Sequence, residues 1–476
     1  MRHACALGMS VFMLAACNAG PDYRKPAVEM PAAWKLDAPW RASAPSDTAA
    51  KGDWWERFAD AKLNALAQQA LAGSPTIVAA NARLAQARAA VDAASAGLFP
   101  QLSLGLRAAR QKISANRPLT NYSSPNFSTV QNDFVGAFSV NYEADVFGRV
   151  RRNVEGARAS AGQSAADAEN IRLLLISELA ANYFSLRAID TELDVLTRSI
   201  DLQKRALGLV TSRHDLGAAS GLDVAQQQAL LDSTLTQLDV LRKQRSQFEH
   251  AIATLSGTPA PNFSLTTDLA VPVPPSVPLG VPSDLLERRP DVAAAERAMA
   301  VANAQVGVAS AAFFPSITLG SAYGGESSAL GTLFATPSII WSLGAALAQP
   351  LFDGGRIRAN TEAARAGYDV AVANYRRMVL VAMQEVEDGI TGVAALERAS
   401  AQAQEAIASA TRVLDLANVR YEGGVATFLD VITAQQALLA NERLAAQLLG
   451  QRLLISVFLV KALGGDWQGT KNLATK

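Results

Sequence analysis

The side chains able to do chemistry in this chain are few and scattered. Cys17 is the first. It follows Leu14-Ala15-Ala16, behind a short apolar stretch from Ala4 to Leu14 and one basic residue, Arg2. That order matches the bacterial lipobox, in which the leader is cut away and the cysteine becomes an acylated N-terminus. Residues 1–16 are therefore expected to be a signal peptide, too short for a membrane-spanning helix of about 20 residues. The other cysteine, Cys5, leaves with the leader, so no disulfide can form within the mature chain. Acyl chains contribute about 0.8 kcal/mol per buried CH2, which makes a multiply acylated Cys17 a stable anchor. Asn18 follows it. An Asp there tends to favour inner-membrane retention, so Asn18 favours the outer membrane. No other residue set suggests chemistry. His214 and His250 stand alone on expected helix surfaces. No Gly-x-Gly-x-x-Gly follows a strand, and Gly469-Thr470-Lys471 has the wrong order for a phosphate-binding loop. No carboxylate pair stands out. An enzyme is not expected, and neither is a metal or a cofactor beyond the covalent lipid.

The rest of the 476 residues must therefore work by shape. The 43 Lys and Arg balance 43 Asp and Glu, half the residues are hydrophobic and 18% are charged. This excludes a disordered chain and a strongly basic nucleic-acid binder. Two cysteines exclude a disulfide scaffold and a cysteine-based zinc module. Low charge with abundant Ala, Leu, Val and Gln suggests long packed helices.

The chain is written twice. Pro75–Gly105 aligns without a gap on Pro290–Gly320, an offset of 215, with 14 of 31 positions identical. Seven of those are Ala. The others are Pro75/Pro290, Val91/Val306, Ser95/Ser310, Phe99/Phe314, Pro100/Pro315, Leu104/Leu319 and Gly105/Gly320. Further on the offset falls to about 207, where Gly148-Arg149-Val150-Arg151 matches Gly355-Arg356-Ile357-Arg358 and Leu222-Asp223-Val224 matches Leu429-Asp430-Val431. So long a period indicates a duplicated half-molecule rather than a solenoid. The expected divisions are a lipidated N-terminal and equatorial segment at 17–73, a first repeat at 74–257, a Pro-rich linker at 258–282, a second repeat at 283–465 and a tail at 466–476.

Each repeat has one grammar. A helix (about Pro75 to Leu98, or Asp284 to Phe313) ends at Phe-Pro, because the residue before proline is driven out of helical geometry. Alternating segments follow. Leu102, Leu104 and Leu106 share a parity, as do Phe134, Phe138, Val140 and Tyr142. Ile317, Leu319 and Tyr323 do likewise in the second repeat, with Trp341, Leu343, Ala345 and Leu347. Period two marks strands with one apolar and one polar face. Lys112–Asn132 and Gly324–Ser338 read as exposed hairpin loops. Ser327–Phe352 carries no charge over 26 residues, but its Pro, Gly and Ser favour strands over a spanning helix.

Two long helices complete each repeat. From Phe147 to about His214 there is no proline, enough for a helix of roughly 100 Å. Leu186, Ile189, Leu193, Leu196, Ile200, Leu207 and Val210 follow a heptad, with Gln203 the exception, and Leu231 to Leu255 continues it. Such heptads indicate coiled-coil-like packing. Leu216–Gly221 and Glu422–Thr427 are short Gly-containing turns, so each helix pair is an antiparallel hairpin.

Four strands with one apolar face pose a closure problem. In a bilayer every backbone group must be paired, so a spanning sheet must close. About eight strands is the practical minimum. If these strands span a membrane, several chains must share one barrel, and three copies give twelve strands; the alternative on pattern alone is a soluble four-stranded sheet packed on helices.

Together these residues resemble the outer membrane factor family of TolC-like exit ducts, most closely its lipoprotein (NodT-type) branch. The marks are Cys17 with Gly20-Pro21-Asp22-Tyr23, Pro31-Ala32-Ala33-Trp34 and Trp54-Trp55. Further marks are Glu287-Arg288-Arg289-Pro290-Asp291-Val292, Pro350-Leu351-Phe352-Asp353-Gly354-Gly355, and Arg420-Tyr421 with Asp430. The resemblance implies an α+β membrane protein with four transmembrane strands and long antiparallel helices per chain. It implies a homotrimer whose twelve-stranded barrel continues as a periplasmic helical barrel. It implies two partners, a periplasmic adaptor and an inner-membrane transporter of the resistance–nodulation–division (RND) type. It also implies that Tyr421 and Asp430 form the periplasmic gate, Asp430 as an acidic ring. Asp430 capping the helix after the turn is an equally physical reading. Where family members often carry a second Asp and an Arg, this chain has Thr433 and Ala426, so its gate is less charged. The turns Leu216-Gly217-Ala218 and Gly424-Val425-Ala426 match the adaptor contacts, and each Gly also serves as a helix C-cap.

Three functions follow in order of fit. The first is an exit duct for small toxic compounds or drugs. The second is an exit duct for proteins served by an ATP-driven transporter. The third is a periplasmic structural coiled-coil lipoprotein, which would have no need of matched strand pairs.

Overall fold

The computed structural model describes residues 19–24, 53–116, 128–270 and 289–465. Cys17 and the leader, Pro31–Trp34, Glu287, Arg288, residues 271–288 and the tail lie outside them. The described helices are α1 (Ala61–Gly73), α2 (Pro75–Ala96), α3 (Arg149–Asp215), α4 (Gly221–Leu255), α5 (Pro290–Ala311), α6 (Arg356–Glu422) and α7 (Phe428–Ala462). The strands are β1 (Gln101–Ile113), β2 (Thr129–Ala144), β3 (Ser316–Ser327) and β4 (Ile339–Ala348). The duplication reappears in the element bounds. α2 and α5 both have 22 residues, α3 and α6 both have 67, and α4 and α7 both have 35. Pro75 and Pro290 each open a helix, where the missing N–H goes unneeded.

Two compact units divide the chain, and each draws on both repeats. The first holds residues 84–164 and 295–375 with the N-terminal residues to 27. Its centre is a four-stranded antiparallel sheet in the order β1-β2-β3-β4. The register puts Leu104, Phe138, Tyr323 and Trp341 in one row across all four strands. One residue over, Ser103, Ser139, Ala322 and Ser342 form a row on the opposite face. The sequence alternation is therefore a real division of faces. The Ser103 and Ser139 hydroxyls lie 2.8 Å apart, and Arg107 pairs with Asp133 on the same polar side.

The strands run further than their composition suggests. Lys112, Ile113 and Thr129–Asn132 were expected in a loop but are paired between β1 and β2. Gly324–Ser327 was likewise expected in a loop and lies in β3. The glycines there serve close approach rather than turning. A Cβ on Gly324 would stand 2.2 Å from the Gly136 carbonyl oxygen, and one on Gly325 2.2 Å from that of Leu333.

The second unit holds residues 28–83, 165–294 and 376–476. Trp54, Trp55 and Phe58 precede α1 and pack with Leu63, Tyr183, Phe184, Ile252 and Leu453. The heptad residues Ile189, Leu196 and Ile200 meet Leu231, Leu238 and Leu241 of α4 and Leu439 of α7. Gln203 breaks the apolar pattern yet is buried. It donates to Ser199 Oγ at 3.1 Å, and its carbonyl accepts the Gln227 amide at 3.1 Å. Arg289 also receives a physical reason. Nearly fully buried, it pairs with Asp291 at 2.7 Å and Glu385 at 2.6 Å and donates to the Ala462 carbonyl at 3.1 Å. It thereby ties the start of α5 to α6 and the end of α7.

Candidate functional site

The second unit brings the two hairpin turns together. After α3, the Ala218 N–H donates to the Arg213 carbonyl at 2.8 Å and the Gly217 N–H to His214 at 2.8 Å. After α6, Val425 donates to Arg420 at 2.9 Å and Gly424 to Tyr421 at 3.1 Å. Both turns are Schellman caps, and Gly217 (φ +75°) and Gly424 (φ +70°) take the left-handed position that glycine tolerates. The next helix start is duplicated as well. Ser220 N–H donates to Asp223 Oδ2 at 3.1 Å, and Thr427 N–H donates to Asp430 Oδ2 at 2.9 Å. Residues 207 apart thus make the same cap twice.

Leu216, Gly217, Ala218, Gly424 and Val425 are exposed at these turns, and Ala426 is half-buried. Leu216 is 84% exposed and Val425 67%, so each turn offers an apolar side chain to solvent. Behind them Val210, Leu230, Leu414, Phe428, Val431 and Ile432 form a shared core. The hairpin ends are thus packed on each other.

Asp430 is exposed and works as a capping carboxylate. Besides the Thr427 amide it accepts the Thr427 hydroxyl at 2.8 Å. That hydroxyl first, then the amide and the charge of Arg420, hold its pKa below the usual carboxylate range. The helix-cap geometry is therefore present. The carboxylate is exposed at the tip. Tyr421 lies 5.1 Å from Phe428, centroid to centroid, and the Arg213 guanidinium sits over its ring at 4.9 Å. Arg213 was not singled out in the sequence. Its signal was weak: it is one of two equivalent basic residues, Arg213 and Arg420, in the last helical turns. Thr433 turns its hydroxyl back to the Leu429 carbonyl at 2.8 Å.

The first unit contributes the other functional surface. Leu102, Leu104, Leu106, Phe138, Leu319, Tyr323, Trp341, Leu343 and Leu347 all lie on one face of the sheet and all are exposed. An uncovered apolar area of this extent marks a surface for another phase or partner. Among the described residues β1 and β4 each have one strand neighbour, so both outer edges carry free backbone groups.

Known proteins share this arrangement. The family described as "Outer membrane efflux protein" matches residues 66–258 and 281–465. The chain belongs to that family. It is 32% identical to the pyoverdine export outer membrane protein OpmQ of Pseudomonas aeruginosa, over 96% of each chain. It is 31% identical to the toluene efflux pump outer membrane protein TtgF of Pseudomonas putida, over 98% of this chain and 97% of the other. The solved structure of the outer-membrane channel OprN superposes with a TM-score of 0.84 at 29% identity, covering 95% of this chain and all of that one. The chain is thus an outer-membrane protein that reaches into the periplasm, in a family of efflux channels rather than enzymes. Its fold class is that of the trimeric outer-membrane channels, a strand barrel continued by a helical barrel.

Proposed function

We propose that the chain is the exit duct of a tripartite efflux system that passes small toxic compounds or drugs out of the cell. The observation that carries this is the four-stranded sheet with an exposed apolar face and two unpaired edges. Antiparallel order makes β4 of one copy a natural neighbour for β1 of the next. Three copies then close twelve strands, lipid outside and the Ser103/Ser139 face inside. A periplasmic adaptor would engage the turns at Leu216, Gly217, Ala218, Gly424, Val425 and Ala426, and an RND-type inner-membrane transporter would supply the cargo. Relatives named for pyoverdine and toluene export favour small molecules over proteins. Tyr421 and Asp430 would close the periplasmic end, Asp430 lining the pore with negative charge that favours cations. Acylation of Cys17 would anchor each chain to the membrane, with no further cofactor.

Cross-linking in cells from positions 218 and 426, with mass spectrometry of the captured proteins, tests this. Capture of an adaptor with a proton-driven transporter is expected. Capture of an ATP-driven transporter would move the function to protein secretion. Capture of only the chain itself or cell-wall material would refute the duct.

A further inference from the structure

Residues 19–23, just after the expected acylation site, are seated on α3 and α5 by contacts that neither barrel closure nor the hairpin tips require. Arg152 is the centre of the seat. Its side chain is 2% exposed. It donates to the Ala19 and Gly20 carbonyls at 3.3 Å each, to Asp22 Oδ1 at 2.9 Å and to Glu155 Oε2 at 2.7 Å. Desolvating a guanidinium is costly unless its donors are satisfied. Here a buried cation holds residues 19–22 in place.

Two glycines make room for it. Gly20 has φ +87°, and a Cβ there would stand 2.7 Å from Gly307 Cα. A Cβ on Gly307 would stand 2.8 Å from Arg152 Cγ and Cδ. Backbone therefore meets backbone beside the arginine stem. Asn303 donates to the Pro21 carbonyl at 3.1 Å, and the Tyr23 hydroxyl reaches the Glu296 carbonyl at 3.5 Å.

The seat has a definite place in the first unit. The Ala19 N–H donates to the Phe147 carbonyl at 3.1 Å. Phe147 lies between β2 and α3, and its ring stacks on Phe314, just before β3, at 4.8 Å and 13°. Ala19 is thus held at the end of the sheet where β2 leaves and β3 enters. Two residues of chain reach at most about 7 Å. A group carried two residues before Ala19 is therefore tethered by no more than that reach.

We propose that Arg152, Gly20 and Gly307 form a positioning seat that fixes the acylated N-terminus level with the rim of the apolar sheet face. The acyl chains then enter the bilayer at the depth where the strands emerge, and the sheet is registered to the membrane before copies join. This rests on acylation of Cys17.

The test uses the full chain in the outer membrane. Intact mass reports acylation. A spin label on Arg24→Cys, with Cys17 acylated the sole free thiol, reports docking of the segment. Unheated gel electrophoresis reports the assembled trimer. Arg152→Gln and Gly307→Ala should mobilise the label and lower the trimer fraction several-fold, with acylation unchanged. Inserting four Gly/Ser residues between Asn18 and Ala19 should leave the label immobile yet lower the trimer fraction similarly, because the seat is intact and the reach is not. An insertion variant that assembles like the parent would reduce the seat to ordinary packing and overturn the proposal. A label that stays immobile in both substitutions would also overturn it. A parent unacylated at Cys17 would instead refute the anchor on which it rests, and the intact mass reads this separately from the label.

Discussion

Leu343→Arg should block assembly, whereas Ser342→Arg, one residue away, should not. Leu343 is the fifth of ten residues in β4, is 80% exposed, and lies opposite Ser321 on the face that carries Trp341 and Tyr323. A basic side chain on the lipid face costs about 2–4 kcal/mol near the bilayer midplane. Three identical chains raise this to about 6–12 kcal/mol per barrel. Even the lower figure is about thirtyfold per chain. Ser342 belongs to the row with Ser103 and Ser139, so an arginine there meets water in the lumen and should alter conductance instead. The assay is the fraction of outer-membrane chain that migrates as trimer without heating, with single-channel conductance for the variant that assembles. If Ser342→Arg fails to assemble while Leu343→Arg succeeds, the faces are assigned backwards. If both assemble with unchanged conductance, the sheet does not line a membrane pore.

Four further outcomes follow from the hairpin tips and the buried Arg289 cluster. Asp430→Ala should raise cation leakage or change cation preference in reconstituted channels, and unchanged selectivity and conductance would sink the acidic ring. The folded pKa of Asp430 lies below its ordinary value of 3.8, so its cap is fully made above that value and is lost as pH falls through the lowered one. Leakage of the parent should accordingly stay flat from neutral pH to about 5 and rise only below about 4. Arg213→Gln removes the cation over the Tyr421 ring, a contact of about 0.5–1 kcal/mol. Single-channel records should show open probability rising about two- to fivefold per chain, and no change would dissociate Arg213 from closure. Arg289→Ala leaves Asp291 without its buried partner and Glu385 with Lys461 alone, at a cost toward the lower end of about 3–5 kcal/mol. A thermal melt of the helical signal should fall by several degrees, and an unshifted melt would make the triad incidental.

Much of the fold was legible because two kinds of period survive in the chain. The duplication aligned Pro75 with Pro290, and the structure opens a helix at each. Period-two alternation put Leu104, Phe138, Tyr323 and Trp341 on the same face before any register was known. Strand ends were less legible. Gly324 and Gly325 look like turn residues in a window of sequence, yet they sit in a paired strand because the Gly136 and Leu333 carbonyls pass too close for a Cβ. The candidate site was readable at its caps, since Gly and Asp carry their geometry locally. Arg213 was not, because its contact with Tyr421 joins residues more than 200 positions apart. Arg152 escaped for the same reason. Nothing around it in sequence reveals that its partners are Ala19, Gly20 and Asp22.

The two hairpin tips show how a duplicated chain acquires a directional part. Equal helix lengths and equal caps are needed if hairpins from both repeats are to lie side by side, so Gly217/Gly424 and Asp223/Asp430 are kept. Change is confined to side chains that leave the caps alone. Tyr421 stands where the first repeat has His214, and Phe428 where it has Gly221. Only the second tip therefore has two rings in contact, while the first supplies the Arg213 guanidinium that covers one of them. The first tip gives the cation and the second gives the ring, although both tips carry the arginine, as Arg213 and Arg420. In a closed trimer, six hairpins with nearly identical backbones would carry three such locks. Opening would then require the second hairpin of each chain to leave Arg213 behind. In a duct closed at these tips, closure would depend on Tyr421, where the repeats differ, meeting Arg213, which they share, while the caps keep one backbone geometry in both.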